Sequence, residues 1–276
     1  MSEELIKAEA NLSKLAFENL QKWLLDEKYY EFKAQILNLI KNEEWGELED
    51  AFFKILEFGT AGRRGKVGAG PNRINLITIS ESAQALANYL KSLNINSPSV
   101  AIAWDVRNSS RELSKKCAEI LAANNIEVFY FYTPRSTPEL SFTVRNLKTS
   151  AGIVISASHN PPEDNGIKIY WNDGAQISAP HDKKLMKIAK NIEEYVPKII
   201  PMNRVILNVL RDSPPNISNI TTENNVVIDV YSDLMQTWFT LISIISSKVF
   251  LLCFSFSFLL SFSLILSNIT IVSFIE

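Results

Sequence analysis

Short apolar segments alternate with amphipathic helical patterns over residues 79–195, and this alternation constrains the fold more than any other feature of the sequence. Three of the apolar segments, Ser99–Trp104, Glu127–Tyr132 and Ala151–Ile155, are rich in aliphatic, aromatic or β-branched residues and predict strands. Because strands that alternate with helices pack as a sheet covered by helices, the pattern predicts a layered α/β fold.

Residues 1–56 carry apolar side chains at helical spacing, as at Leu20, Leu24 and Ile40, and predict a helical N-terminal extension. The acidic beginning of the chain is not typical of a secretory signal, and the two isolated cysteines predict neither a disulfide framework nor a zinc site. We therefore expect a cytoplasmic protein. The net charge of −2 argues against a general nucleic-acid-binding function.

A polar loop, Ser156–Pro162, directly follows one predicted strand. It contains the hydroxyl of Ser158, the imidazole of His159 and the amide of Asn160, and Lys168 follows on the next predicted strand. A hydroxyl beside cationic groups suits a bound phosphate dianion. The spacing is equally that of an ordinary structural turn. A serine-hydrolase site is not supported, because the Gly-x-Ser-x-Gly elbow is absent and adjacent side chains point apart in an extended chain.

A glycine-rich segment, residues 57–70, is predicted to be a loop. Its glycines permit a close approach of the backbone to a phosphate, and Arg63, Arg64 and Lys66 add positive charge. The spacing is not that of a Walker A loop. A basic surface turn is the alternative interpretation.

The pattern after the polar loop predicts a strand at Ile167–Trp171, a return strand at Ala175–Ser178 and a helix over 181–195 that begins at a surface-exposed His181. Residues 201–225 are rich in Pro, Asn, Ser and Thr and are predicted to be a linker. The segment 226–236 could begin a second domain.

The two polar segments together resemble the α-D-phosphohexomutase superfamily. Phe58–Gly65 is similar to its N-terminal signature, and Ser156–Pro161 is similar to its phosphoserine loop. The resemblance spans roughly residues 40–200 and implies the first domain of that fold, a mixed sheet flanked by helices, over 57–200. Further motifs that resemble the family are Ala103–Arg107, Thr137–Leu140 and Asn165–Lys168. The long helical N-terminus and Gly68–Arg73 are closer to the phosphoglucomutase-2-like and bacterial phosphomannomutase branch.

This resemblance implies an isomerase, an intramolecular phosphotransferase that interconverts hexose 1-phosphate and hexose 6-phosphate. Ser158 would carry the phosphoryl group, Lys168 would be the general acid and base, Arg64 would contact the transferring phosphate, and His159 would orient or neutralise charge. The residues that the resemblance implies in substrate or phosphate binding are Thr60, Arg64, Arg107, Asn160 and Lys168, with Arg107 and Asn160 in supporting positions.

The resemblance also implies two cofactors, Mg²⁺ and an activator of the glucose 1,6-bisphosphate type. Ser158 would bind the metal through its phosphate, but the Asp-x-Asp-x-Asp loop that completes the metal site in the family does not follow it here. We therefore expect little mutase turnover from this sequence alone, and we cannot assign glucose, mannose or pentose phosphate as the substrate. The alternative is a non-catalytic module that binds sugar phosphates.

Residues 237–276 form a hydrophobic, low-complexity tail with almost no charge. The stretch 249–275 is long enough to cross a bilayer as a helix, so a membrane tether is one interpretation. The other is a frameshift product, because the Phe-, Leu- and Ser-rich run lacks the Gly and Ala that are frequent in membrane helices.

Overall fold

The computed structural model describes residues 3–59, 62–192, 207–210 and 221–223. The chain divides into two compact units, residues 1–227 and residues 228–276, and the second lies wholly outside the described residues. The predicted second-domain start and the hydrophobic tail therefore lie outside them, as does most of the predicted linker.

The N-terminal extension is helical, as the apolar spacing predicts. Its core contains Leu20, Trp23, Ile36 and Phe52, all of which are buried. A small residue of the glycine-rich segment, Ala69, belongs to the same core and so joins the extension to the rest of the fold. The elements are α1 (Glu3–Asn11), α2 (Lys14–Leu25), a 3-10 helix (Glu27–Phe32), α3 (Lys33–Lys41) and α4 (Trp45–Phe52).

A mixed sheet of seven strands, counted over the described residues, forms the centre of the α/β region. Its strands are β1 (Gly62–Lys66), β2 (Ser99–Trp104), β3 (Glu127–Phe131), β4 (Ala151–Ile155), β5 (Asp164–Trp171), β6 (Leu207–Leu210) and β7 (Thr221–Glu223). Their order is β1-β5-β4-β2-β3-β6-β7. The central strands β4, β2 and β3 run parallel, whereas β5 is antiparallel to both β4 and β1.

Helices cover both faces of this sheet. They are α5 (Leu76–Ser92), α6 (Ser110–Ala123), α7 (Thr137–Asn146) and α8 (His181–Lys190). Helix α6 packs on the central strands and on α5, and α7 packs on the face with Ala101, Ala103 and Val154. Every residue of β2 and of β4 is buried, because parallel strands covered on both faces have no solvent side. The predicted α/β fold, a mixed sheet flanked by helices, is confirmed.

The prediction that residues 57–70 form a loop throughout is wrong, because β1 lies within them and pairs with β5. Gly62 permits this pairing. A Cβ atom at Gly62 would lie 1.8 Å from the carbonyl oxygen of Ile167, and its φ of 145° is one that other residues rarely adopt. The glycine therefore serves a close approach between two strands.

Three further predicted elements differ in extent from the structure. Strand β5 begins at Asp164, three residues before the apolar run, because the polar residues there pair with β1. The predicted return strand at Ala175–Ser178 is reduced to a single bridge between Tyr170 and Gln176. Helix α8 ends at Lys190, earlier than predicted.

None of the helices in the described residues is both long enough and apolar enough to span a bilayer. The stretch 249–275 lies outside them.

Candidate active site

The loops that follow β2, β3 and β4 meet at one edge of the sheet. The carboxyl ends of parallel strands lie at the same edge, which is where α/β folds usually bind ligands. A cavity of about 550 Å³ opens there. Its lining comes from all three loops and includes Asp105, Arg107, Arg135, Ser136, Ser158 and Asn160.

Ser158 lies exposed in the loop after β4 and has a left-handed backbone with φ of 57°. Two hydrogen bonds shape the loop around it: the Ser158 amide donates to Ser156 Oγ at 2.9 Å, and the Asn160 amide donates to the carbonyl of Ala157 at 3.2 Å. A non-glycine residue in this region is uncommon and tends to occur at functional sites. The loop thus presents the serine hydroxyl in a conformation that the neighbouring structure must maintain.

Lys168 lies opposite this serine on the adjacent strand. Residue 168 pairs with Val154 in the β4–β5 register, and its Nζ donates a hydrogen bond to Ser158 Oγ. Burial lowers the pKa of Lys168 most, the nearby guanidinium of Arg64 lowers the pKa further, and the carboxylate of Asp105 opposes the shift. An amine with a lowered pKa beside a hydroxyl is suited to accept its proton.

Arg64 reaches the same loop from β1. Residue 64 lies opposite Gly166 in the β1–β5 register, and its side chain is exposed. Its Nη1 donates to Asn160 Oδ1 at 3.1 Å, and Asn160 Nδ2 in turn donates to Asp164 Oδ2 at 2.8 Å. The guanidinium therefore lies beside Lys168 and beside residues 156–164, which we call the serine loop and which include the first residue of β5.

Arg107 lies behind the loop, with its side chain 12% exposed. Its Nε pairs with Asp105 Oδ2 at 3.2 Å, and both of its terminal nitrogens donate to backbone carbonyls of the serine loop. The structure thus gathers Ser158, Lys168, Arg64, Asn160 and Arg107 in one place.

Other predicted residues are placed differently. His159 is exposed next to Ser158, and its ring makes no hydrogen bond to any residue in the described part of the chain. Thr60 lies outside the described residues. The left-handed conformation of Ser158 also departs from the extended chain assumed for the Ser-His pair.

The expectation that Arg63 contributes phosphate-binding charge is wrong. Arg63 is buried, and its Nη1 donates at 2.8 Å both to Glu81 Oε2 and to the carbonyl of Thr78 on α5. Lys66 pairs with Glu47 at 3.1 Å. Side chains alternate between the two faces of a strand, so Arg63 and Arg64 point to opposite sides of β1.

The sequence predicts that His181 is a plain surface residue, and this prediction is wrong. Its ring stacks on Trp171 at 4.3 Å, and its Nδ1 lies 2.6 Å from the hydroxyl of the buried Tyr89. The residue joins α8 to α5 and to the end of β5.

Asp105 is a site residue whose role the sequence reasoning missed. Its carboxylate accepts hydrogen bonds from Ser110 Oγ at 2.5 Å and from the Arg107 amide at 3.1 Å, besides pairing with the Arg107 guanidinium. The spacing of Asp105 and Arg107 directly after a buried strand was the available signal, because residues two apart at a strand end can share one turn.

Among the described residues, no group of three or more His, Cys, Asp or Glu side chains could hold a metal ion. The acidic groups nearest to Ser158 already have partners, since Asp105 contacts Arg107 and Asp164 contacts Asn160. The described residues therefore do not fit a complete magnesium site.

Comparison with known proteins places this geometry in context. Residues 56–196 match the family model described as "Phosphoglucomutase/phosphomannomutase, alpha/beta/alpha domain I". The chain is 40% identical over 173 residues to phosphoglucomutases of Staphylococcus aureus, strains RF122 and USA300, which covers 63% of this chain and 31% of theirs. It spans about a third of the length of these curated relatives.

A solved structure, a phosphomannomutase from Thermus thermophilus described as putative, is 25% identical with a TM-score of 0.49. The match covers 57% of this chain and 33% of that one.

Proposed function

Because this chain belongs to the phosphoglucomutase/phosphomannomutase family, we propose that its Ser158 accepts and returns a phosphoryl group in the interconversion of hexose 1-phosphate and hexose 6-phosphate. The family match covers the region that holds the serine loop, β1 and β5. The curated relatives extend well beyond the matched region. A complete mutase activity of this chain is therefore proposed here from the site and the family.

One observation carries the proposal: the hydrogen bond between Lys168 Nζ and Ser158 Oγ, with Arg64 beside the same loop. A serine hydroxyl is a weak nucleophile until an adjacent base takes its proton. The lowered pKa of Lys168 increases the fraction of neutral amine that can do so. The positive charge of Arg64 is placed to neutralise an incoming phosphate.

In the proposed half-reaction, Ser158 Oγ attacks one phosphorus atom of a hexose bisphosphate. The hydroxyl proton moves to Lys168 Nζ, a bond forms between Oγ and phosphorus, and the bond between phosphorus and the sugar oxygen breaks. The sugar oxygen then takes that proton from Lys168 Nζ and leaves as the hydroxyl of a hexose monophosphate. In the reverse sequence the phosphoserine transfers its phosphoryl group to the free hydroxyl of the isomeric hexose monophosphate, which regenerates the bisphosphate. Phosphoryl transfer of this kind depends chiefly on positioning and on charge neutralisation.

Magnesium would neutralise charge on the transferring phosphoryl group when bound. The oxygens of a phosphate on Ser158 are the one ligand that we assign to it from this chain. No step of the proposal depends on further metal ligands, since the described residues do not form a set that fits one.

The proposal is tested by incubating the chain with glucose 1,6-bisphosphate and magnesium and measuring the hexose monophosphate that is released. We expect close to one equivalent per chain from the unmodified protein and none from S158A. The matched control is S178A, which removes an exposed serine distant in sequence from the loop and should leave the release unchanged.

Release that is equal in the S158A variant and the unmodified protein would contradict the proposal. Saturable binding of hexose phosphate without any release would favour the alternative, a module that binds sugar phosphates without catalysis.

A further inference from the structure

Arg107 donates hydrogen bonds to four backbone carbonyls of the serine loop. Its Nη1 donates to Pro161 at 2.6 Å and to Asp164 at 2.9 Å, and its Nη2 donates to Asn160 at 2.8 Å and to Ser158 itself at 3.0 Å. The acceptors cover both arms of the loop, from the serine to the first residue of β5. A single guanidinium thus fastens the loop along its length.

The guanidinium is itself held in place from the other side. Asp105 Oδ2 lies 3.2 Å from Arg107 Nε, and Asp105 Oδ1 accepts from Ser110 Oγ at the start of α6. Asn165, which is fully buried, donates to Ser109 and Ser110 and so ties the beginning of β5 to the same helix end. The side chain of Arg107 therefore has a fixed position relative to β2, β5 and α6.

The serine loop needs such a partner for a physical reason. Ser158 has the left-handed conformation, which is unfavourable for a residue with a side chain, and the loop continues through Pro161 and Pro162. The backbone of the loop must therefore be held by hydrogen bonds, and hydrogen bonds from a charged donor are stronger than those from a neutral one. Arg107 supplies the donors.

We infer that Arg107 is a positioning residue: it holds the Ser158 loop in the conformation that presents Oγ to Lys168, and it does so through the loop's carbonyls without contacting the phosphate. The inference rests on the proposed function for its consequence on transfer. The resemblance implies a phosphate-binding or supporting role for Arg107. The terminal nitrogens that would bind phosphate already donate to carbonyls, so we assign the residue the specific role of positioning the loop.

This role demands arginine. A guanidinium is planar and presents five N–H donors in a fixed fork, whereas the ammonium of lysine is a point charge with three rotatable donors. Lysine at position 107 would keep the charge but could not span four carbonyls and one carboxylate. The conservative variant R107K therefore separates geometry from charge.

The test combines hydrogen exchange with the transfer assay. The amides of Ser158, Asn160 and Asp164 are hydrogen-bonded within the loop, so their exchange reports on its conformation. In both R107K and R107A we expect exchange in residues 156–165 to be about tenfold faster or more, with β2 and β4 protected as before. Release of hexose monophosphate should slow by about tenfold or more at an unchanged half-saturating bisphosphate concentration, and added methylguanidinium should partly restore R107A.

The matched control is R145A, which removes an exposed arginine of α7 and should change neither readout. Wild-type exchange in the loop of R107K and R107A would overturn the inference, and so would a loss of protection throughout β2 and β4, because Arg107 would then serve general stability. If the unmodified chain releases no hexose monophosphate, the proposed function fails, while the exchange experiment still decides the role of Arg107.

Discussion

The two faces of β1 contain neighbouring arginines with opposite surroundings. Arg63 is 5% exposed and forms an ion pair with Glu81 of α5. Arg64 is exposed and donates a hydrogen bond to Asn160 in the serine loop. The residues are identical in type and adjacent in sequence, so their difference comes only from the strand alternation. One face of β1 attaches the strand to the fold, and the other offers charge to the site.

This comparison separates stability from chemistry. Substitutions on the buried face should change the free energy of unfolding and leave transfer per folded molecule unaltered. Substitutions of side chains that contact the serine loop from the other face should do the reverse.

Among the side chains on the site side of the sheet, Lys168 on β5 should have the largest effect on transfer when it is lost. We expect K168M to slow the release of hexose monophosphate by roughly 10²–10⁴-fold, the usual contribution of a positioned acid or base. Single-turnover assays measure this rate. The matched variant K66M, on β1 with its lysine paired to Glu47 at the surface, should retain the rate. A K168M protein that transfers as fast as K66M would remove Lys168 from the proposed mechanism.

Loss of Arg63 should give the largest effect on the buried face. R63M leaves the carboxylate of Glu81 buried without its partner, which should cost about 3–5 kcal/mol in urea unfolding. The double variant R63M/E81L should recover most of that loss, because apolar replacement of a buried pair is often neutral. R64M should change the unfolding free energy by less than about 0.5 kcal/mol. Equal losses in R63M and R64M would contradict the division between the faces.

The backbone of β1 gives an intermediate effect. A Cβ at Gly62 would lie 1.8 Å from the carbonyl oxygen of Ile167, so G62A should destabilise the protein by about 1–3 kcal/mol. At Gly65 the nearest atom to an added Cβ is a Leu56 side-chain carbon at 3.6 Å. G65A should therefore unfold at nearly the urea concentration of the unmodified protein. If G62A and G65A unfold at the same urea concentration, the close contact between β1 and β5 is not the reason why position 62 requires glycine.

The smallest effect concerns pH. In the proposed mechanism neutral Lys168 accepts the proton, so the transfer rate should rise with pH through the Lys168 pKa and level off below the usual lysine value of 10.5. R64M removes one cause of the lowered pKa and should move the inflection to higher pH, still below the usual value because burial remains the larger cause. R63M should leave the inflection unchanged. A rate that does not vary with pH, or an inflection that R63M moves as far as R64M, would contradict this account.

The fold was predictable where side-chain periodicity is strong. Strands β2 and β4 lie where the apolar pattern places them, since buried strands display their environment in residue type. Strand β1 was not predictable in this way, because the run Gly62–Lys66 has no apolar alternation. Its pairing depends on the absence of a side chain at Gly62, which sequence patterns record only as a turn signal.

The site was predictable in its residue types but less so in its contacts. The motif resemblance pointed to Ser158, Lys168 and Arg64, and the structure brings these side chains together. The motif resemblance could not show that the side chain of Arg63 is buried, because this depends on the strand register of β1. Nor could it show the contacts of Arg107, since its four loop partners are backbone carbonyls that every residue possesses.

The most direct test of the central claim is to locate the phosphoryl group. After incubation with glucose 1,6-bisphosphate, peptides of the intact chain would be sequenced by tandem mass spectrometry. The account predicts a single phosphorylated position, Ser158, which disappears in S158A and is much reduced in K168M. Phosphate on Ser156 instead, or a chain that carries none while still binding the sugar, would contradict it.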